Sequence, residues 1–279
     1  MPALQRPDAV LPIEHWRPAT PARALVLLVH GLGEHPGRYA ALATTLNAWG
    51  LEVLAPHLRG HGRASGARGD APERWALLND LAACFDLARQ QAVLAGVARP
   101  LVLLGHSLGG LLAARLVAGS LLGEPFGRQP ERLVLSSPAL DGGLSGGQRL
   151  LLGLGKRLFP HLAVANGLQP EWISRDPAVV QAYRNDPLVH DRVSATVARL
   201  VAEEGPRVIE LAPRWTVPTL LMWGGADRCV APRGSQAFYD AAPRDVVQGQ
   251  AFAPLAHEIF NEPERDQVLA LLRPWLETL

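Results

Sequence analysis

Short apolar runs rich in Leu and Val alternate with longer segments of helical periodicity, and this alternation restricts the fold more than any other feature. Each run is almost uniformly apolar, as expected for a strand buried on both faces of a sheet. Parallel strands need long connections, which are usually helices, so the pattern predicts an open α/β sheet with helices on both faces. The predicted strands are 25–30, 51–55, 101–105, 133–136, 219–223 and a last strand near 245–248. Helices are predicted over 39–49, 73–94 and 107–120, the second with Asp70 and Glu73 spaced as a capping box.

The alternation stops at Pro138 and resumes near Pro218, and the intervening segment has helical periodicity with no convincing strand. We therefore expect a helical cap over 141–215, inserted after the sixth strand. The core domain would then consist of residues 1–140 and 216–279.

The first part of the predicted cap, residues 142–169, is apolar and carries Arg149, Lys156 and Arg157 but no acidic residue. Such a segment could contact a lipid surface, or it could pack on the main domain with its charges in water. The candidate substrate-binding residues in it are Leu150, Leu151, Leu154 and Leu158.

Composition excludes some classes of function. Lys plus Arg number 27 and Asp plus Glu 26, so the net charge of +1 gives no reason to expect a nucleic-acid partner. The N-terminal region lacks the apolar core of a signal peptide, which predicts a cytoplasmic protein, with peripheral contact to a membrane surface left open. Cys84 and Cys229 lack metal-ligand spacing, so we expect free thiols and no zinc site.

One motif predicts the chemistry. Gly105-His106-Ser107-Leu108-Gly109 is a G-x-S-x-G sequence that directly follows a predicted strand and precedes a predicted helix. Its glycines remove side chains where the chain turns sharply, which leaves the serine exposed at a helix N-terminus. Ser107 is therefore the candidate nucleophile.

A serine hydroxyl needs a base, and the base needs an acid that holds its tautomer. In this architecture the chain order is serine, acid, histidine. Asp227 follows the strand at 219–223 through a Gly-Gly-Ala turn, and His257 is the only histidine after it. We predict Asp227 as the acid and His257 as the base; His30 and His106 are expected to orient loops.

The negative charge that develops on the substrate oxygen needs two donors. One is the backbone N–H of Leu108, directly after the nucleophile. The other is expected from the glycine-rich loop after the first apolar strand, where we choose the backbone N–H of Leu32.

Several segments together resemble α/β-hydrolases of the monoacylglycerol lipase type, a group related to lysophospholipases. The segment from His30 to Tyr39 is similar to the H-G-x-G-E-H-x-G-R-Y sequence of that family, and Gly105 to Gly110 matches its G-H-S-x-G-G elbow. Asn185 to Val189 resembles its N-D-P-L-V signature, and His257 to Glu262 resembles its histidine loop. The segment from Arg59 to Gly62 fits R-G-H-G but is preceded by His57 where the family usually has Asp.

The resemblance implies an α/β-hydrolase fold with a mostly parallel central sheet, and hydrolysis of a single-chain lipid ester, most readily a monoacylglycerol, without cofactor or metal. A lysophospholipase or a general carboxylesterase would share every candidate residue. An acyltransferase, a peptidase of related fold and a noncatalytic binding protein are weaker alternatives.

Overall fold

The computed structural model describes residues 3–93, 98–142 and 159–279. Its strands, in chain order, are β1 (Ala3–Arg6), β2 (Ala9–Trp16), β3 (Ala24–Val29), β4 (Leu51–Pro56), β5 (Leu101–His106), β6 (Arg132–Ser136), β7 (Ala163–Ala165), β8 (Arg192–Ser194), β9 (Thr219–Gly224) and β10 (Val247–Phe252). Eight of them form one sheet in the order β1-β2-β4-β3-β5-β6-β9-β10. The six strands from β4 to β10 in that order are parallel, whereas β1 and β2 are antiparallel to their neighbours. The prediction of a mostly parallel sheet is confirmed.

The described residues form seven α-helices. They are α1 (Ala40–Ala48), α2 (Ala76–Val93), α3 (Leu108–Leu121), α4 (Pro177–Asn185), α5 (Ala195–Leu211), α6 (Pro232–Ala241) and α7 (Arg265–Glu277). One hydrophobic core joins α1 and α7 to one face of the sheet, and a second joins α2, α3, α5 and α6 to the other. Val26 and Leu27 are consecutive residues of β3, and their side chains enter different cores on opposite faces of the sheet. Burial on both faces explains why the central strands are uniformly apolar.

One element was not predicted, and two local expectations were wrong. An N-terminal hairpin, β1 and β2, precedes the first predicted strand and pairs antiparallel with β4 through β2. The Asp70–Glu73 pair does not cap a helix, because α2 begins at Ala76. The segment expected to lack strands contains β7 and β8, which pair with each other over three residues.

Between β6 and β9 the described chain holds the β7–β8 ribbon, α4 and α5. Helix α5 packs on α3, where Glu204 accepts a hydrogen bond from the buried Arg115 at 2.5 Å. The division into a core and a cap stays a prediction. Leu150, Leu151, Leu154 and Leu158 lie outside the described residues. Within the described ranges, none of the helices has the length and apolarity required to span a bilayer.

Candidate active site

Ser107 lies at a sharp turn between β5 and α3. Its backbone has φ 53° and ψ −119°, a conformation that residues with a Cβ rarely adopt. The Ser107 N–H donates to the carbonyl of Ser136 at 3.0 Å, and its carbonyl accepts from Ala139 at 2.9 Å. Both contacts join the turn to the end of β6, so the surrounding backbone holds the serine in this strained geometry.

The glycines of the motif allow this turn to form. A Cβ on Gly105 would lie 2.4 Å from the Gly109 carbonyl oxygen, and one on Gly109 would lie 2.2 Å from the Val29 carbonyl oxygen. Strand β5, helix α3 and the end of β3 therefore approach each other as backbone against backbone. The geometry therefore agrees with the prediction that glycines are needed here because a side chain would block the sharp turn.

Asp227 and His257 lie together on two loops at the same end of the sheet. Asp227 follows β9, and His257 follows β10. The Nδ1 atom of His257 lies 2.6 Å from Oδ2 of Asp227, and both side chains are buried. The other carboxylate oxygen of Asp227 accepts the backbone N–H groups of Cys229 at 2.7 Å and Val230 at 3.1 Å. Because an ionised carboxylate only accepts, Nδ1 carries the proton and Nε2 keeps a free lone pair.

The electrostatic setting of His257 favours its protonated form. Burial by itself lowers the pKa of His257, but the charge and hydrogen bond of Asp227, with the more distant Glu258 and Glu34, together raise that pKa above its ordinary value. The imidazolium that forms when the ring accepts a proton is therefore stabilised. This is the property required of a general base beside a serine.

Ser107 and His257 open into one cavity. Its described lining includes both residues and comes from the loop after β3, the segment before and within α4, and the loops after β9 and β10: Gly31, Leu32, Glu34, His106, Ser107, Leu168, Gln169, Pro170, Ile173, Tyr183, Cys229, His257 and Glu258. Together with the turn between β5 and α3, which carries His106 and Ser107, the fold thus assembles five segments that are far apart in the sequence around one space.

The two predicted oxyanion donors occupy suitable places. Leu32 lines the cavity beside Gly31, whose Cβ, if present, would lie 3.0 Å from the Ser107 Cβ. Leu108 is the first residue of α3, so its N–H has no acceptor within the helix. Their roles as oxyanion donors stay a prediction.

A buried charge network beside the cavity was missed by the sequence reasoning. Glu34 accepts the Gly31 N–H at 2.5 Å, the Tyr39 hydroxyl at 2.6 Å and Nε of Arg38 at 3.2 Å. The same arginine donates from Nη2 to both oxygens of Glu258, at 2.7 and 2.6 Å. Arg38 thereby joins the glycine-rich loop to the residue that follows His257. The signal was present, since Glu34, Arg38 and Tyr39 belong to the quoted family segment, but no role had been assigned to them.

His30 and His106 lie where loop-orienting residues are expected. Nδ1 of His30 contacts the Gly31 carbonyl at 2.8 Å, and Nε2 accepts the Leu58 N–H at 2.9 Å. Nδ1 of His106 lies 3.1 Å from Oγ of Ser136. Burial lowers the pKa of both rings well below the ordinary histidine value, so both are neutral. Cys84 and Cys229 are free thiols, as expected.

Similarity to known proteins agrees with this geometry. The family described as serine aminopeptidase, S33, matches residues 20–264. The chain belongs to this family. It is 34% identical over 265 residues to the monoacylglycerol lipase of Mycolicibacterium smegmatis, covering 94% of this chain and 90% of that protein. It is 31% identical to an uncharacterised abhydrolase domain-containing protein of Dictyostelium discoideum, but spans only 28% of that protein's length.

A solved structure is also similar. The crystal structure of Paleococcus ferrophilus monoacylglycerol lipase superposes with a TM-score of 0.81 at 33% identity, covering 95% of this chain and 98% of that one. The α/β-hydrolase fold expected from the sequence is therefore confirmed.

Proposed function

We propose that the protein is a serine hydrolase that cleaves carboxylic esters of single-chain lipids, monoacylglycerols first, to a free fatty acid and an alcohol. The observation that carries the proposal is the 2.6 Å contact between His257 and Asp227 beside a cavity that the strained Ser107 also lines. The lipases of known name that share about a third of its residues support the choice of substrate.

The residues account for each step of ester cleavage. Nε2 of His257 accepts the Ser107 proton as Oγ attacks the ester carbonyl, and the Leu32 and Leu108 amides donate to the resulting oxyanion. The imidazolium then protonates the leaving alcohol, which gives an acyl-enzyme and free glycerol. Water, deprotonated by the same histidine, hydrolyses the acyl-enzyme and returns the serine. No step uses a metal or a cofactor.

Three other activities share this machinery. A lysophospholipase or a short-chain carboxylesterase would need the same residues, and an acyltransferase would differ only in passing the acyl group to an alcohol. The family description also includes aminopeptidases. We favour an ester substrate because the named lipases match nearly the whole chain.

A substrate panel tests the proposal. Monoacylglycerols, lysophospholipids, nitrophenyl esters of several chain lengths and aminoacyl nitroanilides would be compared at equal concentration, with and without added alcohol. We expect the highest kcat/KM on a monoacylglycerol and loss of roughly 10⁴- to 10⁶-fold in Ser107→Ala. Faster cleavage of a nitroanilide, or acyl transfer exceeding hydrolysis, would refute the assignment.

Contact with a lipid surface belongs to the same proposal. Three apolar side chains directly after the predicted cap leucines are exposed, Phe159 by 63%, Leu162 by 59% and Val164 by 52%. Exposed apolar groups at this density favour peripheral binding of a membrane surface through the cap, by an enzyme that we propose to be cytoplasmic.

Single leucines in the predicted cap test that contact. Leu151→Asp and Leu154→Asp should lose about 1.5–3 kcal/mol of apolar burial at an interface, or roughly tenfold to a hundredfold in vesicle affinity. Turnover of a dissolved short-chain ester should be unchanged. Equal losses on dissolved and vesicle-borne substrates, with a lowered melting temperature, would show that these leucines only pack the cap.

A further inference from the structure

A possible metal-ligand set lies at the candidate active site, although the sequence spacing did not suggest one. One carboxylate oxygen of Asp227, the Sγ of Cys229 and one ring nitrogen of His257 all lie within 4.8 Å of one another. Asp227 and His257 are buried, whereas Cys229 is partly exposed and lines the cavity. A small ion entering the cavity could therefore reach all three groups.

We infer that Asp227, Cys229 and His257 form an inhibitory site for a soft divalent cation, Zn²⁺ in particular. The set offers one sulfur, one nitrogen and one oxygen, and thiolate and imidazole favour Zn²⁺ over Mg²⁺ or Ca²⁺. A thiolate and a carboxylate supply two negative charges, which match the charge of the ion. A water molecule completes a four-coordinate site.

The geometry needs only local adjustment. Tetrahedral Zn²⁺ with bonds of about 2.0–2.3 Å places its ligand atoms about 3.3–3.8 Å apart, so Asp227 Oδ2 and His257 Nδ1, now 2.6 Å apart, must separate by about 0.7 Å. Asp227 and Cys229 are two residues apart on one loop, and the Cys229 N–H already donates to Asp227 Oδ1 at 2.7 Å. Rotation of the cysteine side chain can bring Sγ, which lies within 4.8 Å of the other two ligand atoms, to the required spacing.

Binding removes the proposed base from the reaction. As the Zn–S bond forms, the S–H bond breaks and the proton passes to the buffer. Nδ1 is the ring nitrogen that faces Asp227, so an ion that also contacts the carboxylate takes Nδ1 and replaces the hydrogen bond. The ring proton then moves from Nδ1 to Nε2, which no longer has the lone pair that would accept the Ser107 proton. The metal-binding half of this inference is independent of the proposed function, whereas inhibition rests on it.

The test uses the whole protein, stripped with a chelator and dialysed, with Co²⁺ as a spectroscopic probe and Zn²⁺ as the inhibitor. A thiolate-to-cobalt absorption band is expected in the wild type, in Ser107→Ala and in the matched control Cys84→Ser, whose thiol is buried on α2. The band should be absent in Cys229→Ser and Cys229→Ala. Each variant's half-inhibitory Zn²⁺ concentration is taken relative to its own activity without metal, and should rise at least about tenfold in both Cys229 variants. Mg²⁺ should have no effect.

The outcomes separate the two proposals. Absence of the cobalt band in the wild type, or equal Zn²⁺ inhibition of wild type and both Cys229 variants, would overturn the metal site. A band without ester hydrolysis on any substrate would instead refute the proposed function and leave the metal site supported.

Discussion

The buried ion pairs of Arg38 with Glu34 and Glu258 allow the most direct test of what holds the two loops of the site together. Side-chain exposure is only 8% for Arg38, 5% for Glu34 and 6% for Glu258, so this single cation offsets two carboxylates away from water. Arg38→Met keeps the length of the side chain and its apolar contacts but removes the charge. The two carboxylates then lose the cation between them and keep neutral donors, the Gly31 N–H and Tyr39 hydroxyl for Glu34 and the Asn261 amide for Glu258.

The expected cost follows from this geometry. Breaking a buried ion pair by removing one partner costs about 3–5 kcal/mol. At about 2.1 cal/mol/K per residue, a chain of 279 residues has an unfolding entropy of roughly 0.6 kcal/mol/K, so the melting temperature should fall by about 5–9 °C. The matched control is Arg199→Met, which removes a half-exposed i,i+4 pair with Glu203 on α5 and should cost under about 1 kcal/mol.

The loss should also depend on pH. Burial and the neighbouring Glu258 already raise the pKa of Glu34 above its ordinary value in the folded protein. Removing Arg38 raises that pKa further, so the folded state binds a proton that the unfolded state has released. Stability is then lost as the pH rises above the unfolded value of about 4.3, and the destabilisation should be larger at pH 8 than at pH 5.

Equilibrium urea unfolding at the two pH values, with calorimetry, measures these quantities. The double variant Arg38→Met/Glu258→Gln should recover part of the loss, because one of the two unpaired charges is gone. A fall in melting temperature no larger than in Arg199→Met, or a double variant less stable than Arg38→Met, would show that the network does not hold the loops by charge.

Three further results are expected. Because the pKa of His257 is raised and the base acts in its neutral form, the acid limb of kcat/KM should lie above the ordinary histidine value of about 6.5; a limb at or below 6.5 in a pH–rate profile would contradict this. Ser107→Gly should be more stable to urea than Ser107→Ala by about 1 kcal/mol, because φ of 53° strains alanine but not glycine, and equal stabilities would mean that the turn relaxes. Burial and Asp227 raise the pKa of the Cys229 thiol, so maleimide should inactivate the enzyme slowly, and the inactivation should become faster as the pH rises. Cys229→Ser should remove the sensitivity to maleimide. If the sensitivity remains in Cys229→Ser but is lost in Cys84→Ser, the reacting thiol lies on α2.

The sequence predicted the central strands well because burial on both faces leaves an almost uniformly apolar run. It did not predict β2, in which Leu11 and Ile13 are buried but Pro12 and Glu14 interrupt the apolar pattern. Residues 9–12 of β2 pair with β1 and residues 13–16 pair with β4, so each half has a strand partner on one side. A strand paired on one side tolerates polar residues and proline, and its pattern is therefore weak. The capping box at Asp70 is the opposite case, a feature that was predicted but is not formed, because a local spacing alone does not fix where a helix begins.

The residues of the candidate site also differ in how far the sequence alone could predict them. Ser107 could be proposed as the nucleophile because its motif is local, and Asp227 and His257 could be proposed as its partners because chain order restricts the choice. The contact between Arg38 and Glu258 joins residues 220 positions apart, and nothing in a single sequence pairs these two charges among its 27 cations and 26 anions. For the same reason the sequence did not predict that Cys229 lies close to His257, because the pairing of β9 with β10 brings their two loops together.

The charge network explains why the glycine-rich loop and the histidine loop can act together. Glu34 holds the Gly31 amide at 2.5 Å, one residue before the proposed donor Leu32, and Glu258 directly follows the proposed base. With Arg38 bonded to both carboxylates, a shift of either loop would break a buried charged hydrogen bond, which costs more than a neutral one. The separation between oxyanion donor and base is thus set by ion pairing rather than by the sheet alone. An ester hydrolase needs this separation constant because both groups must contact the same tetrahedral intermediate at once.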